Sequence, residues 1–349
     1  MFRLLRNLRK KLIKKKARIF AEEFGCVLSN LSCVPKQGGN ILGITSPSET
    51  IYSYSQSPKP NKNLKVALCL SGFLRTHNKT FKSYKENIID RYNANVFIFA
   101  PNVSGISGNI DKTISKLDGK NKISEDALLE MYGRDNVKGI KLWDYQKEDF
   151  ESLMENNKIP LTLDGRNPAR TASAFYHIKE CNELKKSFEE KNNFKYDVVI
   201  KARADLGVYS PLILENLDKL DDTIYYNGGN FDNSGKKRND VALVFPYKNV
   251  QRGEYIGAGE IAFNDYINIS SSRNIDQLSD VYDYFIDYYK RKVIFTPETL
   301  LAYHIIFEKK MNLKMANFTT CEIFRENFLE KWNPQSDNPD WNWLSCQLN

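Results

Sequence analysis

Three short apolar runs constrain the fold of this chain more than any other feature. They lie in "KVALCL" (65–70), "ANVFIFA" (94–100) and "YDVVIKARADL" (196–206). A strand apolar on both faces needs cover on both, so each reads as an inner strand of a layered sheet. Helical spacing appears between and beyond them, at 80–92, at 124–132, and over "RTASAFYHIKECNELKKSFEEKNN" (170–193), the clearest amphipathic helix. "KGIKLWDY" (138–145), "DTIYYNGG" and "VALVFP" are further candidate strands. "SDVYDYFIDYYKRK" and "PETLLAYHIIFEKKM" are further candidate helices. Strands alternating with helices predict an α/β fold with a largely parallel sheet. In such sheets ligands collect beyond the carboxyl ends of the strands. That rule directs attention to Ser71–Arg75 and Arg203–Asp205.

Charge distribution narrows the function classes. The net charge of +8 would suit a nucleic-acid binder, but residues 1–18 hold nine Lys or Arg and no acid. The rest of the chain carries 42 basic against 43 acidic residues, so the body is close to neutral and nucleic acid is not expected as a partner. In the same segment Leu4, Leu5, Leu8, Leu12, Ile13, Ile19 and Phe20 fall near helical spacing. A basic amphipathic helix of this kind suits an anionic membrane surface through residues 1–20; a solvated helix or a frayed tail fits the pattern equally, and a partner-binding helix is a further alternative. No apolar run reaches the roughly 18–20 residues that span a bilayer, and no secretory signal is recognisable. The expectation is therefore an intracellular protein.

Four regions are expected: a basic N-terminal extension (1–34), a Gly- and Ser-bearing linker (35–63), an α/β domain (64–310) and a C-terminal extension packed on it (311–349). Trp341 and Trp343 in the last region suit either packing or a sugar-stacking surface. The six cysteines form no C-x-x-C pair, which argues against structural zinc and a disulfide framework.

Several residues could carry chemistry. In "LSGFLRT" (70–76), Ser71-Gly72 lets a ligand approach the backbone, and Arg75 offers a planar grip on phosphate. The bland reading is a strand-to-helix turn with a solvated arginine. Neither G-x-x-x-x-G-K-[ST] nor G-x-G-x-x-G is present. In "DVVIKARADLGVY" (197–209), Arg203 and Asp205 share one side of the chain. The carboxylate could hold a divalent ion bridging a diphosphate, or orient a sugar hydroxyl, while the arginine neutralises a leaving phosphate. Alternatively the two simply close the strand as an ion pair. Glu260 and Glu298 lie beside glycine or proline turns, where either could serve as a base. Pro297-Glu298 equally fits the first turn of a helix. His77, His177 and His304 lack partners at metal-ligand spacing, and no G-x-S-x-G elbow supports a serine hydrolase.

Taken in order, "VALCLSGFLRT", "FYHIKECNELKK", "YDVVIKARADL", "GEIAFND" and "PETLLAYHI" resemble a family of bacterial polysaccharide-biosynthesis proteins of glycosyltransferase type with a GT-A-like fold. The resemblance covers about residues 64–310. It implies a nucleotide-sugar donor near Ser71, Gly72, Arg75 and Arg203, with Asp205 at the diphosphate and on a Mn²⁺ or Mg²⁺ ion. Glu260 or Glu298 would then be the acceptor-activating base. The chain departs from the acidic GT-A motif by offering Arg-Ala-Asp in place of Asp-x-Asp. Glu260 also stands where related sequences favour an Asp-Gln pair. The implied acceptor is a surface glycan such as capsule or lipopolysaccharide, often lipid-linked, which would explain a peripheral attachment to the inner face of the bacterial inner membrane. Transfer of a phosphoryl- or sulfuryl-type group to polysaccharide, and a non-catalytic glycan-assembly scaffold, are the alternatives.

Overall fold

The computed structural model describes residues 26–29, 32–37, 40–41, 59–103, 122–144, 149–163, 167–208, 210–215, 217–227, 242–244, 260–262, 265–291, 293, 295–316, 319 and 321–323. The expected N-terminal helix and the Trp341/Trp343 segment lie outside these residues. The strands in chain order are β1 (Cys26–Ser29), β2 (Ser32–Gln37), β3 (Asn40–Ile41), β4 (Val66–Ser71), β5 (Asn95–Pro101), β6 (Val137–Trp143), β7 (Val198–Arg203), β8 (Leu206–Val208), β9 (Thr223–Asn227), β10 (Ala242–Val244), β11 (Glu260–Ala262), β12 (Ile267–Ser270), β13 (Asn312–Ala316) and β14 (Cys321–Ile323). The helices are α1 (His77–Tyr84), continued by a π-helical turn (Lys85–Ile89) and a last turn (Asp90–Tyr92), α2 (Glu125–Tyr132), α3 (Phe150–Asn156), α4 (Pro168–Lys191), α5 (Ser272–Ser279), α6 (Val281–Lys290) and α7 (Pro297–Tyr303), the last continued by a π-helical turn (His304–Glu308).

The predicted α/β architecture is present. Seven strands form one sheet in the order β13-β9-β12-β7-β4-β5-β6. The strands β7, β4, β5 and β6 are mutually parallel; β12 runs against both β7 and β9, and β13 is parallel to β9. The chain moves outward from β4 through β5 to β6, then returns to the other side of β4 as β7. The strand order therefore reverses between β4 and β7, the position at which doubly wound sheets open a crevice. The sheet also extends past residue 310, because the buried Leu313 of β13 completes its edge beside β9. The segment expected as a linker begins within an antiparallel meander of β1, β2 and β3.

Both faces of the inner strands are covered, as their composition requires. Ala67, Cys69, Phe97, Phe99 and Val199 pack with Ala172, Phe175, Ile178 and Cys181 of α4 and Phe285 of α6. Val66, Leu68, Leu70, Ile98 and Ile200 pack on the opposite side with Tyr84, Ile88 and Ile89 of the α1 segment and Leu128 and Tyr132 of α2. Starts of helices are sequence-encoded. Ser124 caps α2, and Asn167 followed by Pro168 opens α4, with the Asn167 side chain accepting from the Ala169 N–H at 2.9 Å.

Helix α4 departs from a simple apolar stripe, because His177, Asn182, Lys185 and Glu189 are all buried. Lys185 Nζ lies 3.3 Å from Glu189 Oε2, 2.8 Å from Asp276 Oδ1 and 2.5 Å from Ser272 Oγ. The Glu189 carboxylate also accepts from Ser272 Oγ (2.6 Å), Lys195 Nζ (2.8 Å) and the Tyr196 N–H (3.0 Å). Burial disfavours the Glu189 charge, but these donors outweigh it and hold the carboxyl below its ordinary range. The network ties α4 to α5 and to the approach to β7.

Candidate functional site

The carboxyl ends of β4 and β7 bring together five of the seven residues singled out from the sequence. Ser71 and Arg203 are register partners across the parallel ladder, so their side chains emerge side by side at the carboxyl end. Beyond them the chain turns at Gly72, whose φ of +100° is one that L side chains rarely adopt. A Cβ built there meets nothing within 4 Å, so the constraint is on the backbone alone. Gly72→Ala is expected to cost about 1–3 kcal/mol of stability, read from urea denaturation, even though the side chain has room.

Arg75 and Arg203 converge on one carboxylate. Arg203 grips Asp205 with two parallel bonds, Nε to Oδ1 and Nη2 to Oδ2, both 2.9 Å. Arg75 Nη1 reaches Oδ2 at 3.3 Å from the other strand end. The Asp205 side chain is 2% exposed, against 13% for Arg75 and 28% for Arg203. The guanidiniums are therefore the more exposed partners, and the carboxylate is the most enclosed of the three groups. Burial works against the Arg203 charge, but the charge and hydrogen bonds of Asp205 more than offset it and hold the guanidinium protonated. Aromatic rings flank both arginines: Phe73 lies 5.8 Å from Arg75, and Tyr266 lies 5.8 Å from Arg203.

This constellation is held by residues that the sequence reading did not single out. Four side chains of the α1 segment, at helical spacing, bond the backbone that follows β7. Thr80 Oγ1 donates to the Ala204 carbonyl (2.8 Å), Tyr84 hydroxyl to that of Arg203 (2.5 Å) and Asn87 Nδ2 to that of Val208 (2.8 Å). Ser83 Oγ accepts from the Val208 N–H at 3.1 Å. From the other side, Lys201 Nζ donates to the Asp265 carbonyl, and the Arg203 N–H donates to the Tyr266 carbonyl at 3.1 Å. Burial, aided by the nearby Arg203 charge and opposed by Asp265, pulls Lys201 down to about 8. The available signals were a polar stripe on a predicted helix and a lysine inside an apolar strand.

The remaining two candidates lie on another pair of neighbouring elements. The strand β11, which begins at Glu260, runs alongside α7, which carries Glu298. Glu298 is half-buried in the first turn of α7, behind the Thr296 cap and Pro297, where a carboxylate also complements the helix dipole. The three histidines are structural. His77 starts α1 and donates through Nδ1 to the Leu74 carbonyl. His177 Nε2 accepts from Trp143 Nε1 at 3.0 Å. His304 Nε2 lies 2.7 Å from the Gln277 carbonyl, so its Nδ1 accepts from the Tyr288 hydroxyl at 2.6 Å.

The donors around Asp205 do not match the divalent ion that the resemblance implies. Three guanidinium N–H groups occupy the two Asp205 oxygens, and no group of three His, Cys, Asp or Glu side chains gathers as a ligand set among the described residues. With its oxygens already occupied by guanidinium N–H groups, Asp205 does not fit a divalent cation. No helix among the described residues is long and apolar enough to cross a membrane. No protein-family model matches the sequence, and a search of curated proteins finds no match either.

Proposed function

We propose that this protein is a GT-A-type glycosyltransferase that moves a sugar from a nucleotide-sugar donor to a bacterial cell-surface glycan. The observation that carries the reading is the convergence of Arg75 and Arg203 from the two strands flanking the order reversal, beside the open backbone of Gly72. A diphosphate has the charge and the paired oxygens that guanidinium forks recognise. The same pair supports departure of the nucleoside diphosphate, because its negative charge grows as the glycosidic bond breaks.

In the transfer, the bond between the anomeric carbon and the β-phosphate oxygen breaks, and the nucleoside diphosphate leaves with the electron pair. The acceptor hydroxyl oxygen bonds to the anomeric carbon and its proton passes to a carboxylate, for which Glu260 and Glu298 are the candidates. The basic segment at 1–18 supports a peripheral position on the inner leaflet, where a lipid-linked acceptor would be met.

Purified protein is to be titrated calorimetrically with UDP-, GDP- and dTDP-sugars and assayed for donor hydrolysis. At least one donor is expected to bind and to be hydrolysed. Arg203→Ala is expected to weaken that donor at least about tenfold, the scale of one lost charge-assisted contact. Absence of binding and hydrolysis across the panel would overturn the reading.

A further inference from the structure

We infer that Asp205 is an arginine-positioning residue, and that the crevice holds the diphosphate of its ligand without a divalent cation, the guanidiniums of Arg75 and Arg203 supplying the countercharge. The inference rests on the reading that the site takes a diphosphate, and it specifies how.

The argument begins with lone pairs. A carboxylate offers roughly four acceptor positions, and at least three at Asp205 already receive guanidinium N–H groups. A Mg²⁺ ion needs its oxygen ligands at about 2.0–2.1 Å in near-octahedral order. To bind Asp205 it would have to displace an arginine from a bidentate grip and then sit against two cations that do not deprotonate. Exposure points the same way: the carboxylate is 2% exposed, less than either arginine that grips it.

Arg203 is also fixed before any ligand arrives. Arg203 is held at its side chain by Asp205, at its N–H by the Tyr266 carbonyl and at its own carbonyl by the Tyr84 hydroxyl. The Lys201 bond to the Asp265 carbonyl secures the segment that carries Tyr266. A preorganised pair of donors of this kind does what a bridging ion does, because it neutralises two phosphates at a set spacing without a reorganisation step. Asp205 orients that pair by keeping the two planar forks on a common acceptor.

Calorimetric titration with inorganic pyrophosphate and with UDP, each in EDTA and again in MnCl₂, tests the inference on the unmodified protein. Affinities within about twofold across the two conditions are expected. Asp205→Asn is expected to weaken pyrophosphate at least about tenfold, with the melting temperature recorded alongside. Adding Asp205→Asn to Arg203→Ala should then cost less than Asp205→Asn costs alone, because only Arg75 is left for it to orient, a non-additivity that a purely structural role would not produce. Binding that requires Mn²⁺ and disappears in EDTA would overturn the inference while leaving the diphosphate reading intact. No binding of either probe in both conditions would overturn both.

Discussion

Lowering the pH from 6.5 to 4.5 is expected to remove about 4 kcal/mol from the folding stability of this protein, through His177 and His304. Both are essentially fully buried, at 1% and 0% exposure. Desolvation pulls His177 down to about 3; His304 falls to about 4 for the same reason, in spite of its bond to Gln277. The unfolded chain takes up these protons near the ordinary value of about 6.5, whereas the folded chain refuses them until pH 3 or 4. Across that window the unfolded state binds more protons, so stability falls as the pH falls. At His177 the bond adds to the desolvation: Trp143 can only donate, so Nε2 must remain an acceptor. A typical domain has 5–15 kcal/mol to lose, so partial unfolding near pH 4.5 is the expected consequence. Urea denaturation at pH 6.5, 5.5 and 4.5 reads the effect. Replacing either histidine with glutamine should remove roughly half of the slope, and a flat profile in the native protein would contradict the assignment.

The second large effect concerns the buried network on α4. Glu189→Leu is expected to cost about 3–5 kcal/mol, the usual consequence of removing one partner from a buried ion pair. The loss leaves Lys185 at 0% side-chain exposure with only Asp276 and Ser272, and strips the Tyr196 N–H of its acceptor. Lys185→Met combined with Glu189→Leu should recover most of the loss, because a well-packed apolar pair carries no desolvation cost. Chemical denaturation of the two single variants and the double variant decides the point: additive losses would show that the two side chains are not coupled.

The parts of the fold legible in the sequence are those decided by local composition. Val66–Ser71, Asn95–Pro101 and Val198–Arg203 are apolar on both faces and form the parallel centre of the sheet. Asn167-Pro168 and Thr296-Pro297 announce the starts of α4 and α7. The strand Ile267–Ser270 escaped notice because it is short and half polar, with Asn268 and Ser270 buried beside Ile267 and Ile269. Its strand identity comes from two long-range ladders rather than from any local period. Likewise Arg203 and Asp205 read as neighbours from their spacing, but nothing local shows that Arg75, 130 residues away, shares their carboxylate. The buried polar positions of α4 were hidden for a related reason. A lysine and a glutamate four apart look like a solvated helix pair until α5 covers them.

The reversed strand β12 carries a consequence for synthesis. It separates β7 from β9, and both of those precede it in the chain by about forty residues or more. A nascent chain that has emerged only as far as residue 266 holds the β4–β7 half complete, with the far side of β7 unpaired. Such an edge is a template for pairing with another chain. Four residues, Ile267–Ser270, close that gap and join the two halves at once. Until the ribosome delivers them, the half of the sheet that bears the two arginines presents an open side to its neighbours, so translation speed through 228–266 sets how long the growing polypeptide remains exposed to aggregation.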